Sequence, residues 1–195
     1  MPDRITDELL LEKAEGGDQA AFVELYQRHR NGIFRFAYRI LGSIELAEDV
    51  THDCFLSLIK QPRNFNPAKG SLRTYLYAAA RNLAMKQFRS SGRYDTLDEL
   101  ADEFPIPTRE QPLPKLLDEE LAQKVKEAVL DLPPLQREAL VLFEYEGFSL
   151  NEIASVVGTD VGAIKARLHR ARQRLRNKLS NYLNTDPEIV SLEKA

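Results

Sequence analysis

The segment from residue 149 to residue 168 constrains the fold more than any other part of the chain. Ser149 is followed three positions later by Glu152, which is the spacing of a capping box that begins a helix. Gly158 then supplies a residue that readily adopts the left-handed conformation of a helix end. Asp160 is a suitable N-cap for a second helix. The segment therefore predicts a helix-turn-helix. An ordinary helical hairpin is the alternative, because such hairpins also use glycine turns.

Helical periodicity extends through the rest of the 195-residue chain, and no alternating strand pattern competes with it. Counted with their caps, the predicted helices lie at about residues 6–15, 18–41, 43–61, 71–90, 115–131, 133–146, 150–157 and 161–183. We therefore predict an all-α fold with two small helical domains. The predicted organisation is a domain at 1–92, a flexible, acidic, proline-containing linker at 93–115, a domain at 116–183 and a tail at 184–195.

Charge is strongly segregated along the chain, although the formal net charge is only −3. Residues 54–94 and 161–185 carry eight and seven basic side chains, respectively, and no acidic ones. The stretch at residues 95–120 between them has a net charge of −7. Basic blocks of this kind favour a phosphate-bearing partner such as nucleic acid. Two solvated helix faces are the simpler alternative.

Two kinds of targeting are disfavoured by the sequence. No apolar run approaches the roughly 18 residues that a membrane span requires. The first residues are rich in acids and lack an apolar stretch, so we expect no secretory signal. A single cysteine, Cys54, excludes an internal disulfide and any site with several cysteine ligands. We therefore expect a cytoplasmic protein without a membrane span.

No group of residues favours an enzyme. The three histidines lie on separate predicted helices, and the chain has no glycine-rich phosphate loop. Cys54 is better explained as a small core residue than as a nucleophile. Glu48, Asp49 and Asp53 could suggest a metal site, but carboxylates at these spacings on one helix do not converge on one ion. We predict no catalytic residue, no metal, no cofactor and no small-molecule substrate.

The predicted helix at 161–183 separates an apolar face from a polar one. Ile164 and Leu168 mark the apolar face, and small residues near the helix start would allow close approach to a partner. In a DNA-binding helix-turn-helix, the N-terminal part of the second helix enters the major groove. We predict that Lys165, His169 and Arg170 read base edges and that Arg167, Arg172 and Arg174 contact phosphates, with Ala166 and Gln173 on the same DNA-binding face.

The predicted helix at 71–90 carries a second candidate nucleic-acid surface. One of its faces presents an aromatic ring together with amide and basic side chains, a combination that suits unstacked bases and backbone phosphates. That stripe consists of Tyr75, Ala78, Asn82, Met85, Lys86 and Arg89. The preceding loop adds Asn64, Phe65, Asn66 and Lys69. The alternative is an ordinary amphipathic helix with Tyr75 in the core.

Several motifs together resemble bacterial RNA polymerase sigma factors of the sigma-70 family, in the extracytoplasmic-function (ECF, group IV) type. The resemblance covers about residues 18–92 and 120–178, in the order that the family shows. The motifs are residues 18–28 (DQAAFVELYQR), 47–56 (AEDVTHDCFL), 70–84 (GSLRTYLYAAARNLA), 132–139 (LPPLQREA) and 167–172 (RLHRAR).

The resemblance implies that the first domain, family region 2, docks on core RNA polymerase and opens the −10 promoter element. It implies that the second domain, family region 4, binds the −35 element. Asp49, His52 and Asp53 match the helix that grips the polymerase β′ clamp, and the family also contacts the β flap. The −10 surface of the family is matched by nine residues of the loop and the helix, namely Asn64, Phe65, Asn66, Lys69, Arg73, Tyr75, Asn82, Lys86 and Arg89. The family further implies control by an anti-sigma factor.

Five positions depart from the usual family pattern. Tyr75 stands where Trp is common, and Lys86 stands where Asp is frequent. Ala166, like its neighbour Ala163, replaces a common hydroxyl residue, and His52 replaces Gln. These departures leave the promoter sequence open, as they do the inducing signal and the identity of the anti-sigma factor.

Two further hypotheses follow from the sequence. The resemblance suggests that the acidic linker follows a basic channel in polymerase, and its negative charge could also shield the basic faces when polymerase is absent. A stand-alone helix-turn-helix regulator is the rival function, and it predicts a dimer on palindromic half-sites. That rival leaves the Asp49 and Asp53 helix, and the stripe on the helix at 71–90, without a role.

Overall fold

The computed structural model describes residues 5–90 and 119–183. All regular elements within these two ranges are helical, as the sequence predicts. The predicted linker and tail lie outside the described residues, as does the predicted start of the fifth helix at residue 115. We refer to residues 5–90 as the N-terminal domain and to residues 119–183 as the C-terminal domain.

The N-terminal domain contains four helices and a loop with two short 3₁₀ turns. The helices are α1 (Asp7–Glu15), α2 (Gln19–Leu41), α3 (Ile44–Lys60) and α4 (Leu72–Ser90), and the 3₁₀ turns are Pro62–Asn64 and Pro67–Lys69. Helix α2 packs against α1, α3 and α4, so it forms the centre of the domain. Leu25, Ile33, Phe36 and Ile40 on α2 are fully buried.

Side-chain caps define where the N-terminal helices begin, and they confirm the predicted boundaries. Thr6 accepts a hydrogen bond from the Leu9 N–H, Asp18 accepts from the N–H groups of Ala20 and Ala21, and Ser43 accepts from the Leu46 N–H. These oxygens satisfy N–H groups that have no partner within the helix. Helix α2 ends at Gly42, whose φ of 72° is left-handed.

The C-terminal domain contains α5 (Glu119–Leu130), α6 (Pro134–Leu140), a π turn (Val141–Tyr145), α7 (Leu150–Val157) and α8 (Val161–Leu183). The prediction of one regular helix over residues 133–146 is wrong in its second half. The Glu146 N–H bonds the Val141 carbonyl at 3.1 Å, five residues back, which widens the last turn. Residues 136–142 are all buried, so packing overrides the regular helical pattern here.

The helix-turn-helix forms as predicted. Ser149 accepts a hydrogen bond from the Glu152 N–H at 3.3 Å, and Glu152 accepts from the Ser149 N–H at 2.8 Å, which completes the capping box. Gly158 ends α7 with a left-handed φ of 73°. Asp160 accepts from the Ala163 N–H at 2.9 Å and thereby caps α8. Donation from the Ser149 hydroxyl, and then from the Ser149 N–H, lowers the pKa of Glu152, and donation from the Ala163 N–H lowers the pKa of Asp160.

The two domains pack directly against each other. Helix α4 contacts α7, and α2 contacts α5, α6 and the π turn. Phe148, which precedes α7, is 2% exposed and meets the Tyr77 ring edge-on at a centroid distance of 4.8 Å. A Cβ atom at Gly42 would lie 3.2 Å from a Leu130 methyl group, so this glycine permits the close approach of α5. The buried apolar residues of both domains form one cluster.

Candidate nucleic-acid interface

The loop before α4 is held by its own side chains. The Asn64 amide donates to the Gln61 side chain at 2.7 Å, and Asn66 accepts from the Ala68 N–H at 2.9 Å to begin the second 3₁₀ turn. Lys69 is exposed at the end of this turn. The structure therefore places these predicted residues on one short, locally ordered loop.

An aromatic pair joins the loop to the start of α4. The Phe65 and Tyr75 rings meet edge-on with their centroids 5.7 Å apart, and both side chains are half-buried. Burial raises the pKa of the Tyr75 hydroxyl above its ordinary value. The pair keeps part of its aromatic surface accessible, which a stacking platform for unpaired bases requires.

The stripe predicted on α4 is partly wrong. Asn82, Lys86 and Arg89 are exposed as predicted, but Met85 is only 1% exposed. Helix α4 is buried on more than one side because it packs against α2 and α3 as well as α7. A single apolar face on the helical wheel therefore underestimates how much of this helix is covered.

Helix α3 presents the predicted polymerase-binding residues to solvent. Asp49, His52 and Asp53 are all exposed and lie on one face at spacings of three and four residues. The opposite face is buried through Val50 and Cys54. The structure thus brings the three predicted residues together on one polar surface.

Cys54 is a core residue, as predicted. Its thiol donates to the Leu76 carbonyl at 3.4 Å, and burial raises its pKa to about 12. The thiolate is therefore negligible at neutral pH. Within residues 5–90 and 119–183, no three His, Cys, Asp or Glu side chains are grouped to bind a metal ion. None of the helices in these ranges is long and apolar enough to cross a membrane.

The second helix of the helix-turn-helix, α8, buries its predicted apolar face through Ile164, Leu168 and Ala171. The predicted DNA-binding residues divide by exposure. Lys165, Arg172, Gln173 and Arg174 are exposed, whereas Ala166, Arg167, His169 and Arg170 are half-buried. The exposed Arg172 donates twice to the Glu144 carboxylate, at 2.6 and 3.2 Å. The predicted face therefore exists as one surface of α8, with its members covered to different extents.

Arg167 belongs to an ion-pair cluster that links the domains. Its guanidinium lies 3.3 Å from the carboxylate of Glu138, which is fully buried on α6. Arg81 on α4 donates to the same carboxylate at 2.7 and 3.2 Å. Burial raises the Glu138 pKa, and the two guanidinium groups oppose that rise. No pattern in the sequence predicted a role for Glu138 or Arg81.

A second carboxylate, Glu146, also faces the N-terminal domain. It accepts hydrogen bonds from Arg39 at 3.1 Å and from the Tyr77 hydroxyl at 2.6 Å. Arg73, a predicted −10 residue, donates to the backbone carbonyl of Glu146 and stacks over the Phe148 ring at 3.9 Å. Glu146 was not predicted either, and its only signal in the sequence is the neighbouring Gly147, which indicates a turn.

Comparison with known proteins agrees with this geometry. Residues 25–94 match the family model for sigma-70 region 2, and residues 122–175 match that for sigma-70 region 4. Together the matches cover more than half of the chain.

Two curated relatives and one solved structure extend the comparison. The ECF RNA polymerase sigma factor SigE of Mycolicibacterium smegmatis is 33% identical over 171 residues, which cover 85% of this chain and 65% of that relative. The ECF RNA polymerase sigma-E factor of Haemophilus influenzae is 28% identical and covers 92% of this chain and 98% of its own length. The structure of CnrH in complex with the cytosolic domain of CnrY has a TM-score of 0.64 and 26% identity, covering 92% of this chain and 98% of that one. The chain therefore belongs to the sigma-70 family, in its ECF group of RNA polymerase sigma factors.

Proposed function

We propose that this chain binds core RNA polymerase in the cytoplasm and directs promoter-specific initiation of transcription. In this proposal the N-terminal domain opens the −10 element and the C-terminal domain reads the −35 element. The observation that carries it is the helix-turn-helix whose second helix, α8, presents a basic face with small residues at its start. Family membership supports core RNA polymerase as the partner, and α8 provides a surface that fits the major groove.

The N-terminal surface supports the −10 role. The Phe65 and Tyr75 pair offers aromatic faces to unpaired bases, and Asn82, Lys86 and Arg89 continue along the exposed side of α4. Aromatic stacking beside basic groups is how proteins hold single strands with little dependence on sequence. The departure at Lys86 adds a positive charge to this surface, so we expect a contact with the phosphate backbone there.

The polar face of α3 supports docking on polymerase. Asp49, His52 and Asp53 form an exposed surface whose carboxylates would complement a basic partner. Because the similar sigma factor RpoE from Bartonella quintana (TM-score 0.59, 26% identity) was solved in complex with the anti-sigma factor NepR, we also propose that an anti-sigma factor controls this chain. Such a regulator would cover some of the same surfaces.

Two arginines on α8 test the −35 assignment. Arg170→Ala should weaken binding to a −35 duplex in a sequence-dependent way, by about 1–3 kcal/mol against the preferred base. Arg174→Ala should weaken binding to all duplexes alike and reduce the salt dependence, because a phosphate contact carries no sequence information. Fluorescence anisotropy with duplexes that differ at single base pairs measures both effects. Equal losses across all sequences for both variants would refute the assignment of Arg170 to a base.

A further inference from the structure

Arg172, one of the residues predicted to contact phosphate, is held by the π turn. Its Nε and Nη2 atoms donate to one oxygen of the Glu144 carboxylate, at 3.2 and 2.6 Å. Its guanidinium also lies 5.4 Å from the centroid of the Phe143 ring, within the range of a cation–π contact. Because Phe143 and Glu144 are consecutive residues of the π turn, one short element restricts this exposed arginine.

The π turn that carries these two residues is itself fixed in the core. Val141 and Leu142 are both fully buried, and the Phe148 N–H donates to the Leu142 carbonyl at 3.0 Å. Helix α6, which leads directly into the turn, packs against α8. The turn therefore has a defined position relative to α8, and the Glu144 carboxylate is an acceptor in a fixed place beside that helix.

Arg172 lies on an edge of α8 that the DNA backbone can reach. It follows the exposed Lys165 by seven residues, or about two helical turns, so the two side chains lie along the same edge. A guanidinium carries several N–H donors in one plane. Glu144 uses only the edge formed by Nε and Nη2, and 44% of the Arg172 side chain is exposed. The edge formed by Nη1 and Nη2 can bind two oxygens of a phosphate.

Glu144 is negatively charged although it lies beside this predicted DNA-binding edge. Its side chain is 44% exposed, and a carboxylate without a cationic partner there would repel the phosphate backbone. Exposed ion pairs also add little to folding stability, so stability alone gives little reason for the pair. Preorganisation of Arg172 gives a better one, because a long side chain that is already ordered loses less conformational freedom when it binds.

We infer that Glu144 is a positioning residue for DNA binding by α8, which orients the Arg172 guanidinium toward the phosphate backbone with the support of the Phe143 ring. The proposal rests on the proposed function and adds a residue that acts on DNA through another residue. It predicts that removal of this negative charge weakens DNA binding. Charge repulsion alone predicts stronger binding, so the sign of the effect separates the two explanations.

The first test is the affinity of the full chain for a −35 duplex and for an unrelated duplex, measured by fluorescence anisotropy. Glu144→Ala should weaken binding to both by about fivefold, because the Arg172 side chain must then become ordered on binding. Glu144→Gln keeps an acceptor oxygen and should bind more tightly than Glu144→Ala. The control is Glu127→Ala, which removes an exposed carboxylate beside Lys124 on α5 and should not weaken binding. Stronger binding by Glu144→Ala would overturn the proposal.

The second test repeats Glu144→Ala in a chain that carries Arg172→Ala. There Glu144→Ala should no longer weaken binding and should strengthen it slightly, because the carboxylate it removes faces the DNA without its arginine. An equal loss with and without Arg172 would overturn the positioning role and indicate a structural effect on the domain. Arg172→Ala alone should also reduce the salt dependence by about one phosphate contact.

A measurement without DNA separates this proposal from the proposed function. Nuclear magnetic resonance relaxation of the Arg172 Nε–H, assigned by its absence in Arg172→Ala, reports how ordered the guanidinium is. We expect an ordered group in the wild type and a mobile one in Glu144→Ala. A mobile group in the wild type would overturn the positioning role even if the chain reads −35 DNA. A wild type that binds both duplexes equally would overturn the −35 function, and the Glu144 variants would still decide the positioning role.

Discussion

The two helices predicted to face DNA, α4 and α8, are both basic but differ in how the rest of the protein covers them. The N-terminal part of α8 buries the apolar face that the sequence indicates, through Ile164 and Leu168, and keeps Lys165 exposed. Helix α4 is covered from several directions, so Met85 is buried and Arg73 lies at the domain interface. This difference shows that a helical wheel predicts exposure correctly only when a helix packs against neighbours on one side. The prediction fails when a second domain also packs on the same helix.

The largest expected effect concerns the carboxylate that joins these two helices. Glu138→Ala leaves Arg81 and Arg167 without the buried carboxylate that they share, so we expect a loss of about 3–5 kcal/mol in the free energy of unfolding. Urea denaturation followed by circular dichroism measures the loss. The matched control is Glu144→Ala, which removes an exposed partner of Arg172 and should cost less than about 1 kcal/mol. Equal losses for the two variants would contradict the buried role of Glu138.

A smaller effect is expected from a change that impairs the −10 surface and leaves the −35 surface intact. Phe65→Ala removes the ring that packs edge-on against Tyr75, so promoter opening by the complex with core polymerase should fall about tenfold or more. Binding of the free chain to a −35 duplex should not change, because that surface lies on α8. Fluorescence of 2-aminopurine in the −10 element reports opening.

Phe22→Ala is the control for Phe65→Ala. Phe22 is also half-buried and stacks on Tyr26, but it lies outside both predicted DNA surfaces. Equal loss of opening in both variants would mean that the effect reflects general destabilisation of the N-terminal domain rather than base capture.

The smallest effect tests the cap that positions the helix-turn-helix. Ser149→Ala should destabilise the C-terminal domain by about 1 kcal/mol at neutral pH. The hydrogen bonds from Ser149 lower the Glu152 pKa, so their contribution to the free energy of unfolding is fully present above the ordinary glutamate pKa of about 4.3. This contribution is lost as the pH falls through the lower pKa that Glu152 has in the folded state. The difference between wild type and variant should therefore shrink below about pH 4.

Thr6→Ala provides the comparison for this pH dependence. Thr6 caps α1 through the Leu9 N–H, where no carboxylate completes a capping box. The stability lost in Thr6→Ala, measured by urea denaturation, should therefore not vary with the titration of a capping carboxylate. A Ser149→Ala cost that stays constant from pH 7 to pH 3 would exclude a role for the Glu152 carboxylate.

Local signals predicted most of the fold. The caps at Thr6, Asp18, Ser43 and Ser149 place helix starts correctly because each cap satisfies N–H groups within three residues of itself. The π turn at residues 141–145 was not predicted, because it depends on the tertiary packing of its two buried residues, Val141 and Leu142. Family membership also confirms that the chain is a transcription-initiation factor rather than an enzyme.

The candidate site was predictable only in part, for a related reason. Exposed members such as Asp49, Asp53 and Lys165 follow from periodicity alone. Glu138 and Glu146 could not be found that way, because their partners lie 29 to 107 residues away in sequence. No local pattern in the chain indicates which arginine meets which carboxylate.

The central claim is that this chain works as a sigma factor on polymerase, and gel filtration with bacterial core RNA polymerase tests it most directly. We predict that the wild type co-elutes with core and that Asp49→Ala with Asp53→Ala weakens co-elution. Glu8→Ala with Glu12→Ala removes two exposed carboxylates at the same spacing on α1 and should co-elute like the wild type. A wild type that fails to bind core but binds duplex DNA as a dimer would contradict the account and favour a stand-alone regulator.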